Sequence, residues 1–298
     1  MEHQSVLTQE VVAGLAPRPD ATIVDATLGA AGHAYALAVQ LGPAGTLVGI
    51  DADASALARA TERLAGVQPT IHLAHHNFTA LTAVLSSFNV TAVDGILADL
   101  GWRSEQFTGG GKGFSFLHDE PLIMTYGDPA DYSFTAHDVV NDWDEADIAN
   151  VIFAYGEERG SRRIAQAIIR ERAIQKIETS GHLAAIVRSA LPPRRGAKID
   201  PATRTFQALR IVVNDELTAL ATFIDEAVAV LAPGGRLAII TFHSLEDRIV
   251  KHRFRELAET DDLARITRRP ITATATERDA NPRSRSAKLR IISRTESE

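Results

Sequence analysis

The sequence contains no cysteine. Disulfides, thiolate metal ligands and cysteine nucleophiles are therefore excluded together. Long apolar runs are missing as well: no stretch approaches the roughly 18 residues of a membrane span. The first ten residues, MEHQSVLTQE, have none of the basic and apolar pattern of a secretory leader. Repeats and low-complexity tracts are absent too. A soluble, cytoplasmic protein with no membrane partner is the expectation. What is present is ordinary globular composition, 45% hydrophobic and 23% charged over 298 residues. That suffices for one large domain or two smaller ones, each with a buried core.

The net charge of -7 is unevenly spread. Residues 1–155 hold 5 Lys/Arg against 19 Asp/Glu, residues 156–210 hold 12 against 5, and residues 248–294 hold 13 against 6. Two basic segments on an acidic protein point to a polyanion-binding face, and equally to solvated helix surfaces.

Strand and helix signals alternate through the first hundred residues. Strands are expected at Ala21–Val24, Thr46–Ile50, Thr70–Leu73 and Val93–Ala98, with helices at 32–41, 54–64 and 79–88. That rhythm predicts a parallel sheet covered on both faces. From about 104 to 200 the signals turn helical, with helices expected at 145–155, 161–176 and 182–190. Phe206, Leu209, Val213, Leu217, Leu220, Ile224 and Ala227 then form the stripe of one long amphipathic helix. Pro233-Gly234-Gly235 is expected to stop it, ahead of a fifth strand at Arg236–Phe242. A helix from about 245 and two short strands, near 265–275 and at 288–293, complete the pattern.

The first strand leads into DATLGAAGHA, Asp25 to Ala34. Glycines at a strand-to-helix turn let backbone approach a ligand closely. Asp51 lies at the end of the second strand, 22 residues beyond Gly29, where a carboxylate commonly binds ribose hydroxyls. The pair fits NAD, FAD and S-adenosylmethionine alike, and a purely structural turn also fits. Ala31 stands where a second glycine would meet a pyrophosphate, which favours a ligand without one. Asp99, ending the fourth strand, is expected to face the same crevice or to cap the following turn. Phe78 is placed to pack against adenine or in the core. His72, His75 and His76 invite a metal reading, but no further ligands cluster with them, and no metal is expected. Ser244 and Asp247 have capping-box spacing, which puts His243 near the crevice, there to orient a substrate or to satisfy local backbone.

Along nearly its whole length the chain resembles the RsmH (MraW) family of S-adenosylmethionine-dependent rRNA methyltransferases. The likeness rests on HQSVL (His3–Leu7), the Asp25–His33 turn, GIDAD (Gly49–Asp53), Asn77-Phe78, ADLG (Ala98–Gly101), KGFSF (Lys112–Phe116) and YGEER (Tyr155–Arg159). PATRTFQALRIVVNDEL (Pro201–Leu217), FHSLEDRIVK (Phe242–Lys251) and NPRSRSAKLR (Asn281–Arg290) are its most specific stretches. The resemblance implies an α/β fold, a class I Rossmann-like sheet of seven strands. Residues 1–106 and 201–298 would form the methyltransferase domain, and 107–200 an inserted helical domain that recognises substrate. It implies methylation of the N4 amine of a cytidine in the decoding region of small-subunit rRNA, within an assembled or nearly assembled subunit. The oligomeric state, a homodimer among the options, is left open. Cofactor contacts carry over to Ala31, Gly32 and His33, to Asp51 on the ribose, to Phe78 near the adenine, and to Asp99 and Gln106. Two segments depart from the family pattern. Trp102-Arg103-Ser104 replaces Val-Ser-Ser, and Leu122-Ile123-Met124-Thr125-Tyr126-Gly127 replaces Leu-Asp-Met-Arg-Met-Asp.

An exocyclic amine conjugated to its ring is a poor nucleophile, so the enzyme must chiefly orient it. An acceptor on the amine N–H would stabilise the charge that develops on nitrogen. Asp99, or a backbone carbonyl beside it, is assigned that role. Methylation at carbon 5 ordinarily passes through a cysteine adduct, which this chain cannot form. Arg159, Arg162, Arg163, Arg194, Arg195, Arg204, Arg283, Arg285 and Lys288, with His243, are expected to contact RNA, or in part to pair with neighbouring acids. The competing readings are a nicotinamide-dependent oxidoreductase, a methyltransferase with another nucleic-acid, protein or small-molecule target, and a non-catalytic ribosome-assembly factor.

Overall fold

The structure, a computed structural model, describes residues 5–100, 111–191, 200–259 and 262–296. The chain divides into two compact units, Met1–Gly101 with Leu217–Glu298, and Trp102–Glu216.

The first unit is built on one sheet. Its strands are β1 (Thr22–Asp25), β2 (Thr46–Asp51), β3 (Thr70–His75), β4 (Val93–Asp99), β5 (Leu231–Thr241), β6 (Leu263–Arg265), β7 (Ile271–Thr272) and β8 (Lys288–Arg294). Seven lie in the order β3-β2-β1-β4-β5-β8-β6, and β7 pairs off this path with β8. β1 to β5 run parallel, whereas β8 is antiparallel to β5, β6 and β7. The direction of winding reverses between β1 and β4, and in open α/β sheets ligands sit beyond the carboxyl ends of the strands at such a point.

Alternation along these strands feeds two cores. Val24, Val48, Ile50, Ile96, Leu237 and Ile239 point to one face, where they meet α4 (Leu81–Ser87), α10 (Glu216–Ala229) and α11 (Ser244–Leu257). Ile23, Leu47, Leu97, Ala238 and Ile240 point to the other, against α1 (Thr8–Leu15), α2 (Gly32–Ala38) and α3 (Ala54–Arg63). Burial on both faces explains why the central strands read as continuous apolar runs.

The second unit packs α5 (Ala136–Asp142), α6 (Glu145–Gly156), α7 (Ser161–Arg172), α8 (Ser180–Ala190) and α9 (Ala202–Asn214) around one core. Gly156 permits the crossing of α6 and α9, because a Cβ there would sit 2.6 Å from the Arg204 carbonyl oxygen. α9 clusters with the helical unit, whereas the resemblance implies a methyltransferase domain that resumes at residue 201.

Three expectations about elements are corrected. The long helix is two helices, broken where Asp215 takes a left-handed conformation at φ 45°. Pro233-Gly234-Gly235 lies inside β5 rather than before it, at an irregularity where the register to β4 shifts between Val93 and Gly95. The region 265–275 holds the last residue of β6, the whole of β7 and the first residue of α12 (Ala275–Ala280) rather than one strand. Three helices, α1, α5 and α12, have no counterpart among the expectations. α5 carries a legible signal, a capping box in which Thr135 and Asp138 satisfy each other's backbone N–H.

Candidate active site

Asp25, Asp51 and Asp99 are the last residues of β1, β2 and β4, three neighbouring strands. Their carboxyls therefore gather at the crevice where the sheet's winding reverses. The turn after β1 is folded by its own backbone: Gly29 and Ala31 both have positive φ, 52° and 57°. Glycine takes this conformation at no cost, and Ala31 accepts the strain. Asp51 anchors the turn. Its Oδ2 accepts from the Gly29 N–H at 2.8 Å and its Oδ1 from the Asp53 N–H at 2.8 Å. Asp53 in turn caps α3 through the Ser55 N–H. At the end of β4, the Asp99 N–H donates to Thr27 Oγ1 at 2.7 Å, tying that strand to the same turn.

His33, on α2, is 5% exposed. Its Nε2 lies 2.8 Å from the Val6 carbonyl oxygen and its Nδ1 3.5 Å from Asp99 Oδ2. A carbonyl only accepts, so Nε2 carries a hydrogen. Asp25 is 1% exposed, and its carboxyl accepts from the Thr27 N–H at 3.1 Å. Burial pushes the Asp25 pKa up to about 6. His33 and the Thr27 N–H pull it down, whereas Asp99 and Asp51 push it further up. Asp25 was not singled out as a site residue from the sequence. Its position at a strand's carboxyl end is the signal that would have found it, as it found Asp99.

Phe78 opens a short 3-10 turn capped by Asn77, and its half-buried ring meets Phe223 edge-on at 5.3 Å. His72 stacks on Phe88 at 4.5 Å, and His75 Nε2 lies 3.0 Å from the Ala52 carbonyl oxygen. Gln106, Arg194 and Arg195 lie outside the described residues.

His243 is the N-cap of α11. Glu246 Oε2 accepts from the N–H groups of Phe242 (2.8 Å) and His243 (3.2 Å), and His243 Nδ1 accepts from the Glu246 N–H at 3.4 Å. The capping box is therefore His243–Glu246, one residue before the expected Ser244–Asp247. Asp247 is left to bind Lys288 Nζ at 2.9 Å and Arg290 Nε at 2.7 Å. Lys288 is thus ion-paired, as is Arg204, whose Nη1 donates to the Glu157 carbonyl at 3.1 Å and lies 3.4 Å from Glu158 Oε2. In the second unit Arg159, Arg162 and Arg163 are exposed around the start of α7. In the first, Arg285 is exposed and Arg283 half-buried.

The departure at Leu122–Gly127 also has a structural account. Lys112 Nζ donates to the carbonyls of Thr125 (3.1 Å) and Gly127 (2.5 Å), and Asn214 Nδ2 to that of Met124 (2.7 Å). Tyr126 Oη donates to Glu216 Oε1 at 2.7 Å. Backbone carbonyls and a tyrosine hold this segment, and Thr125 is fully buried.

A parallel sheet of this order with its long last strand reversed, acids at the ends of its central strands and a helical unit after β4, defines a Rossmann-like methyltransferase. The chain belongs to the MraW methylase family, whose model matches residues 1–295. It is 48% identical over 289 residues to the ribosomal RNA small subunit methyltransferase H of Deinococcus radiodurans, covering 97% of this chain and 88% of that protein. The protein of the same name from Trichormus variabilis is 47% identical over 290 residues, covering 97% and 90%. That from Symbiobacterium thermophilum is 45% identical over 308 residues, covering 97% and 96%.

Proposed function

We propose that this protein transfers a methyl group from S-adenosylmethionine to the N4 amine of a cytidine in the decoding region of small-subunit rRNA, acting in the cytoplasm on an assembled or nearly assembled subunit. The observation that carries this reading is the grouping of Asp25, Asp51 and Asp99 at the ends of three adjacent strands. Three carboxyls repel a pyrophosphate and attract a cation, so the site suits a sulfonium better than a dinucleotide. The family supports the same choice. When bound, S-adenosylmethionine supplies a methyl group activated by positive sulfur.

The residues then divide the work. Asp51, whose carboxylate is fixed by the Gly29 and Asp53 N–H groups, accepts from the ribose hydroxyls. Ala31, Gly32 and His33 hold the methionine end, Phe78 borders the adenine, and Gln106 completes the pocket. Asp99, its side chain 16% exposed, accepts a hydrogen bond from the target amine. That bond orients the nitrogen lone pair and stabilises the charge that grows on it, and the proton becomes acidic as the new bond forms. The target base must leave its stack, at a cost of a few kcal/mol. The helical unit recognises the RNA through Arg159, Arg162, Arg163, Arg194, Arg195 and Arg204, and the sheet unit contributes His243, Arg283, Arg285 and Lys288.

The test is transfer of labelled methyl from S-adenosylmethionine to small subunits lacking the modification, with mass spectrometry of the product nucleoside. N4-methylcytidine in the decoding region is the expected product. Binding of cofactor and rRNA without transfer would instead favour the assembly-factor reading.

A further inference from the structure

The HQSVL stretch carries part of the family resemblance but none of the roles in cofactor or RNA binding. Its described residues, Ser5 to Leu7, form a strap against the turn proposed to hold the methionine end of the cofactor. Val6 and Leu7 are buried in the same apolar core as Leu28, Ala31 and Ala34. A Cβ on Gly32 would collide with Ser5 Oγ, so glycine at this position is what lets the strap come so close. One residue on, the Val6 carbonyl accepts from His33 Nε2 at 2.8 Å.

The strap ends in a strained residue. Leu7 is the N-cap of α1 at φ 53° and ψ 31°, a left-handed conformation that a leucine adopts only where its surroundings impose it. It is fully buried, so its N–H needs a partner within the protein. A capping box would supply one from the third residue of the same helix. Here the acceptor is Glu277 Oε1 at 2.7 Å, 270 residues away. Glu277 is the third residue of α12, and its own N–H donates to the Thr274 Oγ1 cap at 3.1 Å. That cap fixes its backbone, while its carboxylate reaches across to the strap.

We propose that Glu277 is a positioning residue for the methyl donor: by accepting from Leu7 it fixes the strap on Gly32 and His33, and with it the turn that holds the methionine end. The inference rests on S-adenosylmethionine being the ligand of this crevice. Without the carboxylate, the buried Leu7 N–H loses its acceptor and the left-handed conformation loses its hold. The strap then loosens from the turn, and binding has to order both again before the methionine end is held. The adenosine end is held elsewhere, at Asp51 and Phe78.

Calorimetric titration of the full-length protein with S-adenosylmethionine and with 5′-methylthioadenosine, which lacks the amino-acid portion, separates the two ends. Glu277→Ala should weaken S-adenosylmethionine about tenfold, the equivalent of one lost hydrogen bond, and 5′-methylthioadenosine by less than about twofold. Glu277→Gln, whose amide oxygen still accepts from Leu7, should recover most of the loss. Equal weakening of both ligands, or an unchanged affinity for S-adenosylmethionine, overturns the proposal. Should Glu277→Ala fail to fold, hydrogen exchange of the wild-type protein decides. S-adenosylmethionine should then protect the amides of residues 5–11 and 5′-methylthioadenosine should not; equal protection by both, or by neither, overturns the proposal. If neither ligand binds the wild-type protein, the cofactor assignment fails and takes this inference with it. That outcome is distinct from two bound ligands whose affinity ratio Glu277→Ala leaves unchanged.

Discussion

The backbone N–H of Gly29 donates to the carboxylate of Asp51 at 2.8 Å. Twenty-two residues separate the two in the chain, and this bond turns the loop after β1 into a fixed cradle against the end of β2. Removal of the carboxylate leaves the Gly29 and Asp53 N–H groups without their acceptor. Hydrogen bonds to charged groups contribute about 1.5–3 kcal/mol each. Asp51→Ala should therefore lower the unfolding free energy by about 2–4 kcal/mol in urea denaturation and weaken S-adenosylmethionine binding by more than about tenfold in calorimetric titration.

Asp99 makes a different prediction, because its backbone and side chain do separate jobs. The N–H bond to Thr27 Oγ1 is untouched by side-chain replacement. Asp99→Asn should leave the fold intact and cofactor affinity within a few-fold, yet cut kcat by about 10²–10⁴, the usual range for a positioned proton acceptor. Full turnover in single-turnover assays, with cofactor bound, would remove Asp99 from the chemistry.

Arg159, Arg162 and Arg163 are exposed around the start of α7, so their replacement should spare stability. The triple alanine variant should bind rRNA more weakly and reduce the slope of log affinity against log salt by about 2–3, roughly 0.7–0.9 per lost phosphate contact. Filter binding across a salt series, with thermal melting as control, checks both halves. An unchanged slope would place the RNA elsewhere.

Asp247 ties α11 to β8 through Lys288 and Arg290, and Arg290 is only 6% exposed. Burial alone would raise the Asp247 pKa, but the bonds from Arg290 and Lys288 outweigh it and hold the carboxyl below its ordinary value. Stability from this site is then fully present above the unfolded carboxylate pKa of about 3.9 and is lost as pH falls through the lower folded value. Asp247→Asn leaves a buried guanidinium without its counterion, and should cost about 3 kcal/mol at pH 7. Its unfolding free energy should also fall less steeply than that of the wild type below about pH 4.

Much of this arrangement was legible beforehand. Asp51 and Asp99 are found simply by asking which acids end strands, since parallel strands buried on both faces announce themselves as apolar runs. Other features were hidden for reasons that can be named. The stripe from Phe206 to Ala227 continues across Asp215 without a glycine or proline, so nothing local reports that Asp215 leaves the helix at φ 45°. The cap of α11 was misplaced by one residue because histidine is an uncommon cap, and His243 serves only with the Glu246 carboxylate answering it. Lys288 reads as a free cation until Asp247, 41 residues earlier, is seen at 2.9 Å.

Periodicity along the chain is enough for the α/β class and the switch to helices after the fourth strand. The family is legible only through the resemblance of the long motifs, because strand-end acids and a glycine turn fit several cofactors alike. The pairing of charges and the burial of Asp25 are decided only in three dimensions. Burial and the company of His33, Asp51 and Asp99 set the cost of a charge there, and no local stretch of sequence encodes which distant groups a side chain will meet once water is removed.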